Sequence, residues 1–134
     1  MIPTPGEVND DSVLSAGVPN QVEIGECPSE ILEGSMILTW IAPKENGAVI
    51  TEYIVYQREV NENGSDSDWE RKPTGQVVLQ HEVIGLKSRK MYEFQVTAKN
   101  WCGESAREED KTIRVKVFGK FLKRGFKLQL NENY

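Results

Sequence analysis

Short runs of alternating apolar and polar residues, each closed by turn-forming residues, begin after Pro19 and recur as far as Val117. A period of two sends successive side chains to opposite faces of a strand. Val22 and Ile24 alternate in the first run; Met36, Leu38 and Trp40 alternate in the second, with Ser35, Ile37 and Thr39 on its other face. Residues Ile50 to Tyr56 are rich in β-branched and aromatic side chains and set Tyr53 and Val55 on one face. Trp69 marks a short strand after the polar loop NENGSDSD, and Val83 lies on the next. Tyr92, Phe94, Val96 and Ala98 then alternate, as do Ile113, Val115 and Val117. Seven strands within about 100 residues, with turn signals roughly every 8–12, predict an all-β, seven-stranded antiparallel sandwich. No segment keeps a helical period beyond two turns, which an α/β fold would need several times over.

Three segments fit this pattern less simply. Residues 1–17 mix Pro, Gly, Asp, Asn and Ser with few large apolar residues and predict a flexible leader before a domain spanning 18–117. The stretch from Gly25 to Gly34 is long for a hairpin, and Ile31 and Leu32 are expected to plug the end of the core from it. In the tail, 118–134, LKRG can turn a hairpin that brings Phe126, Leu128 and Leu130 back as an extra C-terminal strand. Alternatively the tail is disordered, or Phe118, Phe121 and Leu122 form a short basic helix against the preference of Gly119 and Gly125.

Several spaced residues together resemble a fibronectin type III domain, an immunoglobulin-like sandwich. Leu38, Trp40 and Pro43 match the Leu-x-Trp and nearby Pro that end the family's second strand. Asn46, Gly47, Ile50, Tyr53 and Val55 match the Asn-Gly loop and the Ile-x-x-Tyr-x-Val strand. Gly85, Leu86 and Tyr92 match the signal before the sixth strand, which continues through Phe94, Val96, Ala98 and Asn100 to Gly103 and Ser105. Ser88 departs from the pattern where the family often carries Pro. The resemblance implies that Leu38, Trp40, Tyr53, Val55, Leu86, Tyr92, Phe94 and Val96 are core residues, with Trp40 filling the space between sheets. It also implies that the Tyr92 hydroxyl bonds back to the preceding turn, a tyrosine corner.

Composition narrows the class. With 38% hydrophobic and 28% charged residues, the chain is neither a disordered acidic segment nor a membrane bundle, and no apolar run nears the ~20 residues of a spanning helix. The opening MIPTPGEVNDDSVLSAG has no secretory signal pattern, so the chain is read as intracellular or, in preference, as a piece of a larger secreted or anchored protein. A net charge of −5 points away from nucleic acid. That charge is uneven: Glu7, Asp10 and Asp11 make the leader acidic, while Lys120, Lys123, Arg124 and Lys127 make the tail basic.

Candidate chemistry is sparse. His81 is the sole histidine and lies on an edge-type strand, so no Ser or Cys nucleophile has a base, and no metal-ligand or phosphate-loop spacing occurs. Glu108, Glu109 and Asp110 read as a solvated charge run. A non-enzymatic protein without cofactor or metal is therefore expected. Cys27 and Cys102 fall at opposite ends of the predicted sandwich, roughly 20 Å apart along a strand, against the ~7 Å a disulfide allows; free thiols lean towards a reducing compartment. Asn63-Gly64-Ser65 is a glycosylation sequon in a loop.

The best candidate contact surface is the loop end built from residues 43–49, 73–79 and 100–108, with Asn46, Trp101, Cys102 and Glu104 as candidate partner contacts. Trp101 either anchors a partner or folds over the rim and caps the core. Neither an Arg-Gly-Asp tripeptide nor a Trp-Ser-x-Trp-Ser motif occurs. Lys120, Lys123, Arg124 and Lys127 could touch an acidic surface or, in an extra strand, keep an edge soluble. By resemblance, the expected function is a protein-protein interaction and spacer module from the extracellular part of a receptor or cell-adhesion protein, receptor kinases and phosphatases included. The alternative is a cytoplasmic structural module docking on a filament, muscle or ciliary assembly.

Overall fold

The alternation from Met36 to Trp40 becomes the centre of a small sheet, and the longer run from Tyr92 to Ala98 the centre of a larger one. A computed structural model describes residues 16–118 except 33, 62, 64 and 65. The expectations for leader residues 1–15 and for the tail beyond Phe118, including Lys120, Lys123, Arg124 and Lys127, lie outside the described residues.

The strands are β1 (Glu23–Ile24), β2 (Glu30–Ile31), β3 (Met36–Ile41), β4 (Glu52–Val60), β5 (Glu70–Pro73), β6 (Gln80–Val83), β7 (Met91–Asn100), β8 (Gly103–Glu104) and β9 (Ile113–Val117). One sheet has the order β1-β3-β6; the other runs β2-β9-β7-β4-β5, with β8 folded back on β7. Seven of these are the strands read from the sequence, and β2 and β8 are two-residue additions. The pairing is antiparallel except that β2 lies parallel to β9, with Ile31 opposite Val117. Ile31, half-buried in that contact, packs against the core as the expected plug requires, whereas Leu32 is exposed and takes no part in it. Trp69 immediately precedes β5 rather than lying in it, and the acidic run enters a 3-10 turn at Glu109–Lys111.

Between the sheets sit Leu38 and Trp40 from β3, Tyr53 and Val55 from β4, Tyr92, Phe94, Val96 and Ala98 from β7, and Val115 and Val117 from β9. Leu86 closes one end, and all eight core residues named from the sequence are buried. The Trp40 ring lies 5.4 Å from that of Tyr53, tilted by 47°, a favourable offset geometry for aromatic pairs. Its indole N–H is buried and finds no acceptor among the described residues, so the ring is held by shape and apolar contact.

The turn before β7 shows the expected tyrosine corner. The Lys87 amide donates to the Tyr92 hydroxyl at 2.8 Å. Ser88 is accommodated because the next residue, Arg89, takes a left-handed conformation (φ 65°) and its amide donates to Val117 O at 2.7 Å. Gly34 allows a close crossing at the same end: an added Cβ would come within 2.5 Å of Leu86 O, whose amide already donates to Gly34 O.

We expect Trp40→Ala to lower unfolding free energy by about 3–5 kcal/mol through the cavity it leaves. Tyr92→Phe should cost about 1 kcal/mol by removing one hydrogen-bond acceptor. Urea denaturation of both variants checks this; a loss well under ~1 kcal/mol for Trp40→Ala contradicts its central packing.

Candidate interaction surface

The loop after β3 turns through two left-handed residues, Asn46 (φ 60°) and Gly47 (φ 95°), a conformation Asn and Gly adopt most readily. This frees the Asn46 side chain to hold the incoming chain: its Nδ2 donates to Val18 O at 2.8 Å and to Asn20 Oδ1 at 2.9 Å. The Gly17 amide donates to Asn46 O, and the Asn20 amide to Lys44 O. Gly17 is therefore docked on the domain, which corrects a leader extending to residue 17.

At the end of β7, Asn100 is 1% exposed and joins three segments. Its Nδ2 lies 2.9, 3.1 and 3.2 Å from Gly17 O, Glu45 O and Ala48 O, while its Oδ1 accepts from the Cys102 amide at 2.8 Å. The turn that Asn100 fixes carries Trp101 outward, 76% exposed. The rim-cap alternative for Trp101 is thereby overturned: capping the core would have buried the indole. Segment 74–79 joins the same end, because Thr74 Oγ1 donates to Tyr53 O, the Gly75 amide to Glu52 Oε1, and the Tyr53 amide to Gln76 O. The predicted loop groups thus meet around the start of β4 and the end of β7. They expose Val49 and Val77 as well as Trp101.

Not every candidate contact is available there. Glu104 is engaged inside the molecule: Tyr56 donates its hydroxyl to Oε2, Thr97 Oγ1 donates at 2.6 Å, and Arg71 Nη2 donates to Oε1 at 2.9 Å. Burial pushes the Glu104 carboxyl up, but the hydrogen bonds from Thr97, Tyr56 and Arg71, with the Arg71 charge, outweigh it and hold the group below the usual carboxylate range. Tyr56 is pushed up by burial and by donating to Glu104. Cys102 and Asn46 are half-buried and act in building the rim.

Glu104 belongs to a larger arrangement on the outer face of the six-stranded sheet. Glu93 is buried between Arg58 Nη2 and Arg114 Nη2, each at 2.8 Å. The Arg58 guanidinium lies 4.6 Å from the Trp69 ring centre, and that of Arg107 lies 4.3 Å from Tyr56 and 5.4 Å from Trp69. Arginine and aromatic planes thus layer over the strands, a stabilising cation–π geometry. Sequence reasoning missed this cover because a period of two assigns Glu93, Gln95 and Thr97 to solvent. The available signal was the set of arginines and aromatics at outward positions on β4 and in the flanking loops.

The other candidates lie elsewhere. Asn63 is an exposed turn residue after β4, at the opposite end; the rest of its sequon is outside the described residues. Both cysteines are free and half-buried, and burial pushes the Cys27 thiol up. His81 is half-buried on β6, paired with Leu38. Among the described residues, no three His, Cys, Asp or Glu side chains gather as a metal site.

Comparison with known proteins places this geometry. A family model described as "Fibronectin type III domain" matches residues 25–114. The cell adhesion molecule Dscam2 of Drosophila melanogaster is 30% identical over 90 residues, which cover 63% of this chain and 4% of that protein's length. The chain is also similar to the twitchin kinase region of C. elegans, with a TM-score of 0.52 and 26% identity over 78% of this chain and 17% of that one. The FN5 domain of Drosophila Lar aligns with a TM-score of 0.53 over 78% of this chain and 98% of its own, at 23% identity, and so supports the fold alone.

Two outcomes test the rim and its support. Asn100→Ala should cost about 2–3 kcal/mol, since it leaves buried carbonyls and the Cys102 amide unsatisfied, and amide exchange at Cys102 should quicken. Because the Glu104 carboxyl is lowered on folding, its stabilisation is present above the ordinary Glu value of about 4.3 and is lost as pH falls through the lower folded value. Urea midpoints of wild type and Glu104→Gln should accordingly converge as pH falls from neutral through the ordinary carboxylate range and below it; a constant gap contradicts the assignment.

Proposed function

This chain belongs to the fibronectin type III family, and from that premise we propose that it is a non-catalytic interaction and spacer module in the extracellular part of a cell-adhesion or receptor protein. One observation carries the reading. Residues 17–20 enter against Asn46 and Asn100 at one end of the sandwich, and β9 leaves at the other, where Val117 O accepts from Arg89. A domain held at opposite ends can be placed in line with neighbours while its loop rim stays at a fixed distance from them. Similarity to Dscam2, itself named a cell adhesion molecule, supports the adhesion setting.

Recognition is assigned to the rim, with Trp101 as its anchor and Val49 and Val77 as accessory apolar contacts. A large aromatic side chain on a rigid turn gains contact area at little entropic cost. A second reading, a cytoplasmic structural module, draws on the free Cys27 and Cys102 and on the similarity to twitchin.

The test is binding of domain-coated beads to surfaces of cells from the source organism. Trp101→Ala should cut binding at least tenfold, about 1.4 kcal/mol or more, while changing stability by under ~0.5 kcal/mol, as expected for an exposed position. Equal binding by the variant removes Trp101 from recognition. Binding that appears only with cytoplasmic filament preparations supports the second reading.

A further inference from the structure

We infer that β6 pairs edge to edge with β6 of a second copy of this chain, joining the two small sheets into one continuous antiparallel sheet. The order β1-β3-β6 leaves the outer edge of β6 unpaired. The ladder decides which backbone groups lie along it. The Trp40 amide donates to Leu79 O at 3.1 Å, so the hydrogen-bonded pairs between β3 and β6 continue as Leu38 with His81 and Met36 with Val83. Gln80 and Glu82 therefore turn their N–H and C=O groups away from β3, and among the described residues no group meets them.

The other edges are guarded. β1 and β2 have two residues each, and β5 carries Arg71 and Lys72 and ends on Pro73. Short length, charge and proline are the usual protection of an edge against strand addition. β6 reads Gln-His-Glu-Val, with neither Lys, Arg nor Pro. It lies between Leu79, 48% exposed, and Ile84, 68% exposed.

A second copy is the occupant because this edge complements itself. A two-fold axis at His81 puts Gln80 of each copy opposite Glu82 of the other, at the positions where both backbone bonds are exchanged. On the outer face each carboxylate then meets a side-chain amide, a donor, in place of another acid. On the inner side Leu79 comes opposite Val83. Just past Val83, Ile84, Gly85 and Tyr92 help to line a cleft of about 400 Å³, which has room for the Leu79 side chain of the second copy. Moving the axis to Glu82 sets two carboxylates directly opposite each other, which is destabilising. Moving it to Gln80 places Glu82 opposite Val78, with no donor. Charge thus selects the register. An edge of four residues buries little area, so the association is expected to be weak. The pairing uses neither Trp101 nor the docked entry of the chain, and it can fail without the spacer reading.

The experiment is sedimentation equilibrium of the full chain at concentrations up to about 1 mM, where a monomer–dimer equilibrium is expected. Gln80→Glu sets carboxylates opposite each other twice per dimer and should weaken association severalfold. Gln80→Lys makes two ion pairs instead and should strengthen it severalfold at about 50 mM salt, the gain shrinking as salt rises. Gln80→Pro removes an N–H that faces away from β3, so the fold should survive while dimerisation weakens at least tenfold. Should the proline variant fail to fold, the two charge variants, at an exposed position, still decide the matter. Trp101→Ala should leave the equilibrium unchanged. A chain that stays monomeric, a dimer indifferent to Gln80→Glu and Gln80→Lys, or a dimer lost with Trp101→Ala overturns the proposal.

Discussion

Every residue of β7 from Tyr92 to Ala98 is buried, so Glu93, Gln95 and Thr97 must satisfy their polar groups without free access to water. That requirement organises the larger sheet. Glu93 takes Arg58 from β4 and Arg114 from β9, fastening the strands on either side. Gln95 Nε2 donates to Thr112 Oγ1 and Glu108 O, drawing in the loop before β9, and its Oε1 accepts from Arg107. Thr97 donates to Glu104, which brings Tyr56 and Arg71 into the same network. A single unpaired member would leave a desolvated group, and in one case a desolvated charge, so these contacts are mutually dependent. The inner face then closes apolar residues against β3 in the ordinary way.

This explains how a domain with short flanking strands supports fixed loops. The β1-β3-β6 sheet alone is small, and its outer face leaves Ile37 and Ile41 exposed. The other sheet is covered on both faces and is the rigid reference. Its upper end positions the rim through Asn100 and the paired Thr51 and Lys99, and its lower end holds the turn before β7 through Val117. Loop contacts gain precision from such a support because their backbone is fixed before any partner arrives.

The inner face was legible in the sequence for a physical reason: burial between two sheets imposes a period of two, and large residues at that period have little else to do. Leu38, Trp40, Tyr92 and Phe94 were therefore set on one face by pattern, and the family resemblance marked that face as the core. Asn46 and Gly47 were legible as a turn because their backbone freedom is local. The outer face was not, because Arg58, Trp69 and Arg107 meet only after β4, β7 and the loops are paired, and polar residues at outward positions ordinarily face water. The same blindness left Glu104 among the free contacts. The β2–β9 contact was missed because a two-residue parallel pairing has no period to detect. Trp101 stayed ambiguous until Asn100 was seen to fix its turn, since sequence gives an indole's position along the chain but not its orientation.

The proposed spacer role would require position to be transmitted from one end to the other, and the hydrogen bonds at the two ends hold the chain in different ways. On entering, the chain is held by side-chain amides: Asn46 and Asn100 reach residues 17, 18 and 20 in directions no regular ladder could supply. On leaving, it is held by backbone alone, β9 lying between β7 and β2, with the Lys116 and Phe118 amides donating to Ser29 O and Ile31 O. The parallel β2 contact is thus more than an ornament of the first loop, because it pairs the edge of β9 that β7 leaves open. Displacing either end requires breaking several hydrogen bonds together, and neither displacement touches Trp101 directly. Fixed ends and an outward aromatic on a separately braced turn are compatible within one small sandwich, as the proposed combination of spacing and recognition requires.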